Sequence, residues 1–376
     1  MSLEPLGYWR EGDDPGHRRF AQLRGRNDRG FEFEAGGSLP QVTVAYESWG
    51  TLNANRSNAV LVEHALTGDS HVTGPAGAGH PMKGWWDGIV GPGLAIDTDR
   101  FYVVCPNVLG GAQGTTGPSS LDEHGTHLGS RFPMITIRDQ VDVEVALADY
   151  LGVARWYAVV GGSMGGMRVL EWAVGFASRL EQAVVLAVGA ASTADQIALS
   201  SLQVRAIRLD PHYRGGDYYE SETGPSEGMA LARGIGHFTY RTGSEFEFRF
   251  GRHDQPGESS LEGGRYAIES YLEYQGDKLA RRFDPNSYVV LSEAMNHHDV
   301  GRGRGGLREA LSAIACAVTV ISIDSDRLYP TRLQEQLVEL VANVRPLQMV
   351  TSSVGHDGFL LEVDQIGAII ERALGG

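Results

Sequence analysis

The segment Trp156-Tyr-Ala-Val-Val-Gly161-Gly162-Ser163-Met164-Gly165-Gly166 constrains the fold more than any other part of the chain. An apolar, β-branched run leads directly into a G-x-S-x-G turn, and residues 167–176 after it read as a helix. Small residues on both sides of Ser163 let the backbone turn sharply, which holds the hydroxyl out at the head of that helix. A bare G-x-S-x-G also occurs as a glycine turn with an idle serine. Having a strand before it and a helix after it is what marks Ser163 as a nucleophile.

From residue 41 onward, short β-branched runs alternate with glycine-rich turns and helical stretches, the order expected of a parallel sheet flanked by helices. Candidate strands are 59–62, 101–105, 157–160, 183–188, 318–323 and 348–351, several of them apolar throughout, as strands covered on both faces should be. The rhythm breaks near Ser192 and resumes near Leu307. Between these points lie helix-like stretches at 194–207, 227–237, 265–282 and 287–295, joined by Gly/Pro-rich turns at 211–216 and 252–264. The expected architecture is therefore α/β, of the α/β-hydrolase type with a mostly parallel central sheet. Residues 1–191 and 301–376 form the core and 192–300 a helical lid over the carboxyl edge of the sheet, where ligands bind in open α/β folds.

Serine is a poor nucleophile at its own pKa and needs a base in hydrogen-bond reach, oriented by a carboxylate. On this scaffold the order along the chain is Ser, acid, His. The run 318–323 ends in Asp324-Ser325-Asp326-Arg327-Leu328-Tyr329-Pro330, and the loop after 348–351 carries His356. Both lie at strand ends, as a triad requires. Spacing alone leaves Asp324 and Asp326 as alternatives for the acid. Two backbone amides must also meet the developing oxyanion, one from Met164, next to the nucleophile, and one from the loop His64-Ala65-Leu66-Thr67-Gly68.

Composition excludes several other functions. With 42% hydrophobic residues among 376, the chain has enough apolar surface for a substantial core, while a formal net charge of −15 lacks the basic footprint of a nucleic-acid binder. An anionic substrate must therefore meet a local positive site. Cys105 and Cys316 sit in or beside apolar runs without metal-type spacing, as in a reduced, cytoplasmic protein. Residues 1–20 have no signal-type apolar core, and the longest apolar run, 310–323, is interrupted by serines and a threonine, so no membrane association is expected.

Gly301-Arg-Gly-Arg-Gly-Gly306 matches G-x-G-x-x-G, but it follows the polar Asn296-His-His-Asp299 rather than a strand and reads better as a solvated glycine loop. Neighbouring side chains on a helix diverge, so His297, His298 and Asp299 do not suggest a metal site, and no metal is expected. The 110–117 loop lacks the Lys-Ser/Thr of a phosphate-binding loop and reads as a wall beside the pocket; Trp85 and Trp86 read as packing residues.

Taken together, the motifs resemble the homoserine O-acetyltransferases, acyltransferases of methionine biosynthesis with the α/β-hydrolase fold. The resemblance rests on His64-Ala-Leu-Thr-Gly-Asp-Ser-His71, Gly84-Trp-Trp-Asp-Gly88, Pro106-Asn-Val-Leu-Gly-Gly111, Gln113-Gly-Thr-Thr-Gly-Pro118, Gly161-Gly-Ser-Met-Gly-Gly166, Asp326-Arg-Leu-Tyr-Pro330 and Gly355-His-Asp-Gly-Phe359, in one order along nearly the whole chain. Ala112 stands where many relatives carry cysteine. The resemblance implies Ser163, Asp326 and His356 as the triad, Leu66 and Met164 as oxyanion donors, and Arg233, Asp357 and Tyr240 as substrate contacts. It also implies acetyl-CoA and L-homoserine as substrates, an acetyl-serine intermediate with ping-pong kinetics, no resident cofactor, and a homodimer formed through the helical insertion. Arginine suits a carboxylate and aspartate an ammonium, so Arg233 and Asp357 make chemical sense for a zwitterionic acceptor. Rival readings on the same scaffold are a succinyltransferase, a serine O-acyltransferase and an esterase or thioesterase.

Overall fold

The computed structural model describes residues 7–25 and 30–375; the first six residues of the amino-terminal stretch read above lie outside the described residues. A central sheet of eight strands is built from β1 (Arg19–Arg24), β2 (Gln41–Trp49), β3 (Ala59–Glu63), β4 (Tyr102–Pro106), β5 (Trp156–Gly162), β6 (Leu180–Leu186), β7 (Ala317–Ile323) and β8 (Gln348–Val350). Their spatial order is β1-β2-β4-β3-β5-β6-β7-β8. β2 runs antiparallel to both of its neighbours, and all other pairs are parallel. The α/β-hydrolase expectation holds.

The six strands expected from sequence are present with ends shifted by a few residues. β1 and β2 were missed. β1, Arg-Phe-Ala-Gln-Leu-Arg, sits at the sheet edge and buries only Ala21 and Leu23, so its apolar signal is short and flanked by charge. Helices α1 (Ile137–Leu151) and α2 (Met164–Gly175) cover one face. α1 begins with a reciprocal capping box between Thr136 and Asp139, which satisfies two otherwise orphan amides. On the other face, residues of the 72–101 loop pack with the carboxyl-terminal helix, Val363–Ala373, around Trp86, Ile89 and Ile370.

Between β6 and β7 the chain forms α3 (Ala194–Leu209), α4 (Ser226–Tyr240), α5 (Gly243–Phe250), α6 (Ala267–Ala280) and α7 (Pro285–Asn296). The two stems of this helical segment are bridged at Ala191 and Asp299. α5 was not expected from sequence. In Gly-Ser-Glu-Phe-Glu-Phe-Arg-Phe the phenylalanines recur every second residue, a strand-like period, but Thr242 caps the Glu245 amide and the helix forms, leaving Phe248 90% exposed. No helix among the described residues is long and apolar enough to cross a membrane.

Candidate active site

Ser163 sits between β5 and α2 with φ 56° and ψ −126°, a conformation that costs a non-glycine residue on the order of 1–3 kcal/mol and persists only where the surroundings impose it. Those surroundings are close-packed backbones. A Cβ on Gly165 would lie 2.1 Å from the Glu63 carbonyl oxygen, and one on Gly161 would lie 2.7 Å from the backbone of Gly165. The head of α2 therefore abuts the end of β3 where only glycine fits, and Ser163 is held in place by its amide donating to the Leu186 carbonyl at 3.0 Å.

His356 Nε2 is 2.9 Å from Ser163 Oγ, and its Nδ1 is 2.6 Å from Asp326 Oδ2. The other Asp326 oxygen accepts from the Leu328 and Tyr329 amides, both at 2.8 Å, so backbone donors fix the carboxylate. Asp324 is exposed and accepts from the Ser352 amide at 3.0 Å, tying the ends of β7 and β8 together. The acid that reaches the imidazole is thus Asp326. The imidazole is walled by Tyr329, Phe359 and Tyr240, with ring centroids 5.1, 5.3 and 6.0 Å away. Burial alone would lower its pKa, but the charge and hydrogen bond of Asp326, with Asp357 nearby, outweigh this and raise it.

β3 and β5 pair with Glu63 opposite Gly161, which brings the 64–68 loop beside the nucleophile turn. Neither the Leu66 nor the Met164 amide donates a hydrogen bond to another group among the described residues. His64 braces this loop: Val108 N–H donates to its Nε2 at 3.0 Å, so the ring proton is on Nδ1, 2.8 Å from the Ala65 carbonyl. Burial, then the charge of Arg168, pushes the His64 pKa down to about 3, so the ring stays neutral.

Sequence reasoning missed Arg168, which is fully buried on α2. Its Nη2 donates to the His64 carbonyl at 2.5 Å, while Nη1 lies 2.6 Å from Glu63 Oε2 and 2.7 Å from Glu144 Oε1. Trp172 Nε1 donates to the second Glu144 oxygen at 3.0 Å. Burial, opposed by Arg168 and reinforced by Glu144, holds the Glu63 carboxyl well above the usual range. Removing one member of a buried charged cluster costs about 3–5 kcal/mol. Arg168→Met is expected to lose that much unfolding free energy in urea, with the loss of the loop's brace also lowering kcat. Wild-type stability in the variant would show that the clamp is dispensable.

Arg233, on α4, lies half-buried with its guanidinium 5.5 Å from the Tyr240 ring centroid. Asp357 follows the catalytic imidazole and is paired with Arg241 Nε at 2.9 Å, a partner the sequence did not suggest. A narrow cavity of about 40 Å³ runs between the 64–68 loop and the helical segment, lined by Leu66, Gln203, Tyr240, Met295 and Tyr329 among others. Tyr288 hydroxyl donates to Gln203 beside it. The structure thus brings Ser163, Asp326 and His356 together, with Leu66 and Tyr240 on a shared cavity.

Other sequence features resolve differently. Arg302 and Arg304 of the glycine loop pair with Glu34 and Glu171, which Arg138 also engages, so this loop is an ion-paired clasp rather than a freely solvated one. His297 is exposed, whereas His298 is buried against the Gly189 carbonyl at 3.1 Å. Trp86 is buried and donates to the Phe359 carbonyl at 3.0 Å; Trp85 donates to the Asp69 carbonyl at 2.9 Å. In the 110–117 loop, Thr115 and Thr116 accept from the Ala45 and Thr43 amides of β2, both at 2.9 Å, and pin the loop to the sheet. Both cysteines are buried free thiols.

Glu47, His71 and His80 also cluster, from positions too far apart in sequence to be seen as a set. The two rings stack 3.9 Å apart at 10°, His71 Nδ1 is 3.0 Å from Glu47, and His80 Nε2 accepts from the His17 amide at 3.0 Å. In-plane lone pairs on stacked rings run side by side rather than converging, which suits a hydrogen-bonded histidine pair on a buried carboxylate.

The model of the alpha/beta hydrolase fold family matches residues 58–363. The homoserine O-acetyltransferase of Thermobifida fusca (strain YX) is 54% identical over 373 residues, covering 99% of this chain and 97% of that protein. The crystal structure of homoserine O-acetyltransferase from Bacillus anthracis superposes with a TM-score of 0.86 at 27% identity, covering 96% of this chain and 98% of that one. The crystal structure of esterase E22 superposes with a TM-score of 0.85 at 28% identity, covering 95% and 99%. With its strained nucleophile turn, its Ser-His-Asp relay and full-length similarity at this level, the chain belongs to the homoserine O-acetyltransferase family of the α/β-hydrolase fold.

Proposed function

We propose that this protein transfers the acetyl group of acetyl-CoA to the side-chain hydroxyl of L-homoserine through an acetyl-Ser163 intermediate. The observation that carries this reading is the continuous relay from Ser163 Oγ through His356 to Asp326, at 2.9 and 2.6 Å, in a chain of this family. His356 takes the Ser163 proton as the oxygen attacks the thioester carbon, and the oxyanion forms against the Leu66 and Met164 amides. Collapse breaks the C–S bond, and the proton passes from His356 to the departing CoA thiolate. Homoserine then occupies the same site, His356 takes its hydroxyl proton, and the second tetrahedral intermediate releases O-acetyl-L-homoserine and free Ser163. The kinetics are ping-pong, and the protein's own side chains suffice without a resident cofactor.

The same triad serves esterases, and the likeness to esterase E22 makes hydrolysis the second reading. A positioned hydroxyl outcompetes water because fixing it against the acyl carbon is worth an effective molarity of roughly 10⁵ M or more. Arg233 and Asp357 supply that positioning by holding the acceptor's carboxylate and ammonium, with Tyr240 beside them. Acetyl-CoA is to be supplied with and without L-homoserine while O-acetylhomoserine and free acetate are followed. Acetylhomoserine should dominate when the acceptor is present; acetate as the main product under both conditions would overturn the proposal in favour of an esterase. We place the enzyme in the cytoplasm as a homodimer joined through the helical insertion.

The reaction's pH dependence follows from His356, whose raised pKa lies above the ordinary 6.5. The base acts when neutral, so kcat/KM should rise with pH along a limb centred above 6.5. Asp326→Asn should move that limb to lower pH and cut kcat by roughly 10⁴-fold. The charged pair also stabilises the fold below the unfolded-state pKa, a contribution lost as pH rises through the folded-state value. An unmoved limb in Asp326→Asn would disconnect the carboxylate from the base.

A further inference from the structure

A second cavity, of about 670 Å³, opens between the end of α6, the amino-terminal segment and residues 77–82. Lys278, Arg281 and Arg282 line it, and none of the three forms an ion pair among the described residues. Many of this acidic chain's other arginines are paired with carboxylates, so three cations on one wall with no ion pair among the described residues stand out from the rest of the surface. The carboxylates on the same lining are exposed, and two of them, Asp13 and Asp14, are engaged with the backbone amides of Arg10 and Gly16. Two polar atoms on the lining residues, Nδ1 of His80, 3% exposed, and Nε1 of Trp9, have no hydrogen-bond partner among the described residues.

Arg282 connects this cavity to the reaction centre. Its Nη1 donates to the Thr67 carbonyl at 3.2 Å, one residue beyond the proposed oxyanion donor Leu66. Burial and the charge of Arg233 lower its pKa, against the opposing charge of Asp69.

We propose that this cavity binds the phosphorylated nucleotide end of the acyl donor, with Lys278, Arg281 and Arg282 meeting its phosphates and the rings of Trp9 and Tyr274 available to the base. The proposal rests on the acetyl-CoA reading above. It gives the local positive site that a polyanionic substrate needs on a chain of net charge −15. Arg282 ties the same wall to the 64–68 loop through the Thr67 carbonyl.

The test uses the double variant Lys278→Ala/Arg281→Ala, both exposed positions away from the triad. CoA itself is titrated calorimetrically into wild type and variant, and KM is measured with acetyl-CoA and with S-acetylpantetheine, which lacks the nucleotide. Losing two charge-assisted phosphate contacts should weaken CoA binding and raise the acetyl-CoA KM roughly tenfold or more, with kcat and the S-acetylpantetheine KM unchanged. Equal CoA binding by both proteins, or equal changes for both donors, would overturn the site. If the variant loses CoA affinity while wild type makes no acetylhomoserine, the nucleotide site stands and the acceptor assignment fails instead.

Discussion

Ser163→Ala is expected to lower kcat for acetyl transfer by roughly 10⁵-fold or more, leaving only what binding and the oxyanion amides provide. The size follows from the relay. With Oγ gone, His356 has no proton to take at 2.9 Å, and the covalent route closes. Because the three side chains act as one unit, Ser163→Ala/His356→Ala should be little worse than Ser163→Ala alone. Mass spectrometry after acetyl-CoA treatment without acceptor should show one added acetyl group on wild type and none on the variant. Ser163→Gly separates chemistry from folding: glycine tolerates φ 56° without strain, so this variant should be inactive yet at least as stable as wild type. Acetylation persisting in Ser163→Ala would place the nucleophile elsewhere.

Removing the proposed acceptor anchors, Arg233 and Asp357, should redirect the reaction rather than abolish it. A charge-assisted contact of the kind proposed for Arg233 and Asp357 is worth about 2–3 kcal/mol, so Arg233→Ala or Asp357→Ala should cut kcat/KM for homoserine roughly 10²-fold, and the pair more. Formation of the acetyl-enzyme should survive, because neither residue belongs to the Ser163–His356–Asp326 relay, and acetate release to water should continue. Asp357 also pairs with Arg241 at 2.9 Å, so its alanine variant leaves that half-buried guanidinium with Glu245, at 3.0 Å, in place of two carboxylates; Asp357→Asn with Arg241→Gln controls for the change in charge. Full transfer to homoserine in Arg233→Ala/Asp357→Ala would show that other groups orient the acceptor.

Much of this site was legible in one dimension because its parts are local. The nucleophile turn needs glycines immediately beside the serine, and the acid and base occupy the loops that follow consecutive strands. Where partners come from distant segments, the signal vanished. Arg168 reads as one charged residue on a helix until the fold sets Glu63, Glu144 and the His64 carbonyl around it. The phenylalanine alternation of α5 suggested no helix, since period alone does not weigh a cap against a side-chain pattern. The edge strand β1 escaped notice because its pairing with β2, rather than its own apolar content, makes it a strand.

By itself the sequence determined the α/β scaffold, the nucleophile and the order of the triad, since each is encoded in short runs whose backbone preferences are steric. Strand spacing left Asp324 and Asp326 open, and the structure puts Asp326, the acid the family resemblance implies, on His356; tertiary structure alone paired Asp357 with Arg241 and gathered Lys278, Arg281 and Arg282 on one wall. Those outcomes depend on distances between side chains far apart along the chain. Only packing the sheet, its helices and the helical segment against one another sets such distances.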